Sequence, residues 1–380
     1  MNKIFYKFIL SVLLLGIYGC SSVRIEDSNK EEWLEASLKT PLNSDSLGFR
    51  TSAFLYANNL TDAYDEDPDK VLEMLADYLK TGTKRPELRY LSPLNYKDYN
   101  RTALAALTEL CYDSAKKADK GKKLKYYLSC SYYAWNFLFN RNLLPQASPF
   151  DSQFLYMTRF YNFSTAEVFR YFTEHKIPFE KVRIEIVGGA IDFAPPKSDL
   201  YWPPKDFKKF LICYDYKSEG LQTQSMSPGL GVPLVGIKDL KPNIEKAKEW
   251  LFINESYAMN VLLLFPAHDI KAEVCEAEFE FSDAMKNDFT SINGQKVPLE
   301  LDFSTPLAKF LQRPQIINGI KFMFSPDRMG SLEGIYMMSP YNPEKIPLLF
   351  VHGLMSDPRT WVQTANTLSG VKRIRDNYQV

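Results

Sequence analysis

Ile346-Pro-Leu-Leu-Phe-Val-His-Gly-Leu354 is apolar without interruption from Ile346 to Val351 and then reaches a glycine. Such a run suits a strand buried on both faces of a parallel sheet, because a half-exposed antiparallel strand alternates polar and apolar residues. Downstream, Asp357 fits an N-cap, Pro358 a first helical residue, and Trp361, Ala365 and Leu368 share one helical face that Gly370 closes. A strand end, a glycine turn and a helix start leave backbone N–H groups unpaired and aimed into one cleft. That arrangement suits a developing oxyanion. Upstream, Ile335-Tyr-Met-Met338 reads as another strand, set apart by the turn-rich Ser339-Pro-Tyr-Asn-Pro-Glu-Lys345.

Residues 179–330 have the texture of a β-rich domain, with short segments broken by proline and glycine. Val182 to Val187 and Phe210 to Tyr214 are expected strands. Glu276-Ala-Glu-Phe-Glu-Phe281 alternates strictly, so Ala277, Phe279 and Phe281 should face a core and the glutamates solvent. Clustered carboxylates also serve glycosidases, but alternation accounts for these without catalysis. Gly229-Leu-Gly-Val-Pro-Leu-Val-Gly236 lacks the third glycine of a dinucleotide fingerprint and carries Pro233. It is expected to be a turn whose glycines take positive φ. A short helix is expected over Ile244 to Trp250.

Residues 31–178 are helical in pattern. One apolar stripe holds Val71, Leu72, Leu75 and Leu79, a second Leu104, Leu107, Leu110 and Cys111, and a third Tyr127, Tyr132, Trp135 and Phe139. Asp113 to Lys125, with Gly121 inside it, reads as a helix end, a turn and a new start. Asp151 to Phe172 supplies another helix. The paired helices are similar to a tetratricopeptide array, although no repeat of about 34 residues can be laid over them. A degenerate solenoid of this kind offers a surface for a protein partner.

The N-terminus carries Lys3 and Lys7, then an apolar run from Phe8 to Ile17, then Gly19 and Cys20. This order makes residues 1–19 a signal peptide. It resembles a bacterial lipoprotein signal. That likeness implies lipidation of Cys20, a polar tether over residues 20–30, and export to the cell envelope as a lipid-anchored membrane protein, at the outer membrane where the host has one. Cys111, Cys130, Cys213 and Cys275 form no CxxC pair, so metal binding is not expected. Pairing of Cys111 with Cys130, or of Cys213 with Cys275, is open to an exported chain, while their apolar contexts favour buried free thiols. A formal charge of zero offers no field for nucleic acid.

The whole pattern resembles the large α/β-hydrolase lipoproteins of bacteria, which place a helical and β extension before a lipase-like domain. Besides the His-Gly turn, Gly229 to Leu234, Leu301-Asp-Phe-Ser-Thr-Pro-Leu307, Tyr341 to Pro347 and Trp361 to Leu368 carry the likeness. The fold implied is multidomain α+β: an all-α domain over 31–178, a β-rich domain over 179–330, and over 331–380 the first strands and helix of an incomplete α/β-hydrolase domain. The activity implied is hydrolysis of carboxylic esters or lipids by acyl transfer through a serine, with no cofactor. In such enzymes one oxyanion donor comes from this early loop. Here it falls on the N–H of Leu354, or secondarily Met355, with Gly353 allowing close approach. His352 precedes the usual order of serine, acid and histidine, and so shapes the loop rather than acting as the base.

No Gly-x-Ser-x-Gly stands anywhere in the chain, and His175 and His268 precede the oxyanion strand. The expectation is therefore a chain cut before its nucleophile, inactive as it stands. Two other readings are a non-enzymatic lipoprotein with a helical binding scaffold, and a site that uses Ser356 beside His352.

Overall fold

The computed structural model describes residues 29–82, 96–142, 151–238, 251–253, 256–266, 270–312, 335–353 and 358–380. The chain divides into two compact units, residues 1–39 and Thr40–Val380. In the first, helix α1 (Lys30–Leu38) opens on a capping box: Asn29 accepts the N–H of Glu32 at 2.9 Å, and the Glu32 carboxylate accepts the N–H of Asn29 at 3.3 Å.

The second unit is mixed α+β. Its helical layer comprises α2 (Phe49–Ala57), α3 (Thr61–Glu66), α4 (Pro68–Thr81), α5 (Tyr96–Lys117), α6 (Lys120–Phe139) and α7 (Ser152–Glu174). Asp67 caps α4 through the Lys70 N–H, Pro68 takes its first position, and Gly82 at φ 66° ends it in the left-handed region. The expected stripes of α4 and α5 are buried, as are Tyr132, Trp135 and Phe139, while Tyr127 is half-buried. Every residue of α6 from Leu128 to Phe139 is buried, so this part of the helix is enclosed, while its first turn at Lys120–Lys122 is exposed.

The strands are β1 (Arg183–Ile186), β2 (Gly189–Phe193), β3 (Lys197–Ser198), β4 (Lys209–Ile212), β5 (Met226–Ser227), β6 (Val232–Ile237), β7 (Leu251–Ile253), β8 (Ser256–Leu264), β9 (Val274–Asp283), β10 (Phe289–Ile292), β11 (Gln295–Pro298) and β12 (Leu301–Asp302). A seven-stranded sheet runs β1-β2-β9-β8-β6-β4, with β3 also on β9. The β2–β9 and β3–β9 pairs are parallel and the others antiparallel. From β9, Phe279 and Phe281 meet Phe169 of α7 with ring centroids 5.8 and 5.9 Å apart. One hydrophobic cluster runs from Phe54 in the helices to Phe303 beyond the sheet. The change of texture near Pro178 is thus a change of layer around a shared core.

Three local expectations are corrected. The glutamate face of β9 is not open to solvent: Glu276 is exposed, but Glu278 is buried in an ion pair with Lys197, and Glu280 accepts the Thr290 hydroxyl at 3.2 Å. Lys197 of β3, which pairs beside β9 in the sheet, and Thr290 of the β10–β11 hairpin reach these two carboxylates. The glycine segment is a turn only as far as Gly231 (φ 94°), and Val232 onward is an interior strand between β4 and β8. Gly229 is needed there because a Cβ would lie 2.3 Å from the Leu299 carbonyl carbon. Pro233 is tolerated because β4 begins pairing only at Leu234. The expected strand ending at Tyr214 stops at Ile212, and Cys213–Asp215 forms a 3₁₀ turn. The helix expected over Ile244 to Trp250 lies outside the described residues.

Candidate functional site

Helix α8 (Ser304–Leu311) follows β12, and the C-terminal segment supplies β13 (Ile335–Met337), β14 (Ile346–Pro347), a 3₁₀ turn (Pro358–Trp361), α9 (Val362–Gly370), α10 (Lys372–Asn377) and β15 (Tyr378–Gln379). Strands β14 and β15 pair in parallel, Ile346 with Tyr378 and Pro347 with Gln379. Antiparallel neighbours can be joined by a tight turn, but parallel ones need a crossover, and here α9 and α10 supply it. The Leu348 N–H donates to the Gln379 carbonyl at 2.8 Å, and the Met338 N–H to the Val380 carbonyl at 2.9 Å. Strand β15 therefore lies between the two segments that precede the crossover. The Gln379 side chain fastens the intervening turn by donating to the Asn342 and Lys345 carbonyls and accepting the Asn342 N–H.

The apolar run is not the buried strand expected. Its regular pairing covers Ile346 and Pro347 alone, and Ile346, Leu349 and Val351 are 58%, 64% and 70% exposed. Burial of such a run requires sheet neighbours and helices on both faces. Five and six residues after β14 ends at Pro347, His352 and Gly353 are exposed. The His352 Nδ1 stands 3.2 Å from the Gly353 carbonyl, to which its N–H tautomer donates. A Cβ on Gly353 would meet nothing within 4 Å among the described residues. Leu354, Met355, Ser356 and the expected cap Asp357 lie outside the described residues, as do Cys20 and His268. Beyond them, Trp361 stacks on Phe350 at 5.3 Å and 22°. Trp361 sits in the 3₁₀ turn before α9 rather than on the helical face it was expected to share with Ala365.

What holds this segment to the sheet is mostly polar. Asn366, fully buried on α9, accepts the Ser304 hydroxyl at 2.7 Å and donates to the Thr223 carbonyl at 2.9 Å. Gln363 donates to the Gly220 carbonyl and accepts the Gln222 N–H, both at 2.9 Å. Ala365 packs with Leu307 and Phe310 of α8. Arg375, 3% exposed, donates to the Ser369 carbonyl at 2.7 Å, pairs with Asp288, and lies 4.3 Å from the Phe303 ring centroid. Burial, with the nearby Arg375 charge, lowers the Lys345 ammonium pKa, and that group donates to the Arg375 carbonyl at 2.5 Å. Ala365 belongs to the expected helical stripe, and Ser304, Lys345, Gln363 and Asn366 lie in stretches that carry the family likeness. Nothing in those patterns assigns them these polar contacts, and Arg375 lies outside every one of them. The one available hint was Asn366 beside the Ala365 stripe.

Elsewhere, His175 ends α7, stacked on Tyr171 with its Nδ1 3.0 Å from the Tyr171 carbonyl. Cys111, Cys130, Cys213 and Cys275 are buried free thiols, and burial raises the pKa of Cys111, Cys130 and Cys213. Among the described residues no group of His, Cys, Asp or Glu could hold a metal, and no helix is long and apolar enough to cross a membrane. No protein-family model, curated protein or solved structure matches the chain.

Proposed function

We propose that residues 335–380 open the sheet of a serine α/β-hydrolase, and that the protein is exported, anchored by lipid at Cys20, and hydrolyses carboxylic esters or lipids by acyl transfer. The observation that supports this reading is the parallel β14–β15 pair with its helical crossover, a strand-helix-strand connection whose first strand leads, five residues on, into His352-Gly353. Ligands of open α/β sheets bind outside such strand ends. The exposed Leu349 and Val351 fit the same reading, since a parallel sheet has both faces covered.

In the proposed chemistry a serine attacks the ester carbonyl, and its oxygen becomes an oxyanion held by the Leu354 N–H, with Met355 the secondary donor. One such donor contributes about 3 kcal/mol to the transition state. His352 holds the turn through the Gly353 carbonyl and moves no proton. The chain contains no Gly-x-Ser-x-Gly, so the reading requires a nucleophile elbow, an acid and a histidine encoded after codon 380 or on a companion polypeptide. Sequencing and expressing that region tests it. An ester-cleaving product in which Leu354→Pro, lacking the N–H, loses roughly 10²–10³-fold in kcat supports the reading. Absence of all three groups overturns it.

A further inference from the structure

A cleft opens between the aromatic segment Leu200 to Phe207 and helix α8, with about 590 Å³ of empty space when the open solvent at its mouth is included. One wall is aromatic. Trp202 meets Tyr257 edge to face with centroids 4.8 Å apart at 63°, and Phe207 meets Tyr257 at 6.0 Å and 78°. These mutual contacts lock the rings and make that wall rigid. Tyr201, at 65% exposure, stands against Trp202 at 4.7 Å. The opposite wall is Pro306 and Leu307 of α8 with Met338 and Pro340 of the C-terminal segment.

We infer that this cleft binds a single uncharged hydrocarbon chain. Three of its lining residues are methionines, Met259, Met285 and Met338. Unbranched thioethers adapt to a flexible apolar guest, while the locked rings supply a fixed surface. The charge of the lining selects the guest. Among the described lining residues Asp283 carries the one charge at neutral pH, and that carboxylate already takes the Met285 N–H at 2.9 Å and the Lys286 ammonium at 3.1 Å. Among the described lining residues there is no lysine, arginine or histidine to hold a phosphate or carboxylate, and Asp283 is already neutralised by Lys286 from outside the lining. A neutral alkyl chain leaves no lining charge unpaired and removes the apolar walls from water. The site joins both parts of the unit, since Met338, Ser339, Pro340 and Ser369 come from the C-terminal segment and the rest from the sheet, its loops and α8. It stands whether or not that segment takes part in acyl transfer.

The test is titration of the chain with straight-chain alcohols from hexanol to dodecanol, using 12-bromododecanol as a quencher of tryptophan fluorescence. Affinity is expected to rise about fourfold per added methylene until the cleft is filled, which corresponds to about 0.8 kcal/mol for each buried CH₂. Quenching should fall in Trp202→Phe, which identifies the responding ring. Met285→Glu adds a second carboxylate to the lining and Met338→Trp fills it. Each is expected to weaken dodecanol binding about tenfold or more, with circular dichroism verifying the fold. Affinity independent of chain length, or dodecanol binding unchanged in a folded variant of either kind, overturns the inference. Because the wild-type length series needs no variant, a misfolded mutant leaves it decisive, and because nothing is hydrolysed, its failure is separate from failure of the hydrolase reading.

Discussion

Replacing Arg375 with alanine should release the C-terminal helices from the sheet without unfolding the helical layer. The guanidinium is 3% exposed and serves three partners: the Ser369 carbonyl, Asp288 and the Phe303 ring. Loss of a charged hydrogen bond to a carbonyl costs about 2 kcal/mol, and loss of a cation over a ring about 1 kcal/mol. Orphaning a buried carboxylate costs about 3 kcal/mol or more when it is fully sealed. The Asp288 side chain keeps 19% exposure and can rehydrate, so about 1 kcal/mol is a fairer figure. The sum is about 4 kcal/mol, or roughly a 10³-fold fall in protection if opening is local. Hydrogen exchange read by mass spectrometry should show that fall over Val362–Gly370 and little change in Leu128 to Phe139. Arg375→Met paired with Asp288→Asn restores packing and removes the orphaned charge, and should recover more than half of the protection. A fall below about tenfold, or an equal fall in both regions, refutes the reasoning.

Gly231→Ala should destabilise the unit by about 3 kcal/mol in urea unfolding, because the position has φ 94° and a Cβ there would stand 2.5 Å from the Asn260 Oδ1; a shift in midpoint equivalent to under about 1 kcal/mol refutes this. Burial raises the Glu300 carboxyl above the usual carboxylate range despite the Arg159 ion pair. The folded chain therefore binds that proton more tightly than the unfolded chain. Stability should fall as pH rises from the unfolded carboxyl value, about 4.3, through the folded one. Glu300→Gln should reduce that slope, and an unchanged slope in unfolding free energy between about pH 4 and pH 7 counts against it. Cys20→Ser should abolish incorporation of labelled fatty acid in a bacterial host and release the protein from membranes; unchanged labelling refutes anchoring at this cysteine.

The helical stripes of α4 and α5, the shift to strands near Pro178 and the inward set Ala277, Phe279 and Phe281 were legible in the chain, because periods of 3.6 and 2 report which face is apolar. The Glu278 and Glu280 face differs from the expectation because the same alternation is written whether a face meets water or the side chains of a neighbouring strand and hairpin, here Lys197 and Thr290. Gly229 to Gly236 was misjudged for a related reason. Gly236 has no positive φ; its need for glycine comes from Met259 and Phe207, and a Cβ would approach the Met259 Cε to 2.3 Å. That constraint comes from residues distant in sequence.

The sequence by itself determined the local pieces: the apolar stripes of α4 and α5, the run from Ile346 to Val351, its His-Gly end and the helix after it. These depend on neighbours within a turn or two, where propensity, capping and periodicity act. Only the tertiary structure decided that helices and sheet share one core, that β14 runs beside β15 while Leu349 and Val351 face solvent, and that Asn366, Gln363 and Arg375 join that segment to the sheet. The physical reason is that strand order, burial and polar pairing are settled by partners far along the chain. A local pattern specifies the face to be covered but not what covers it.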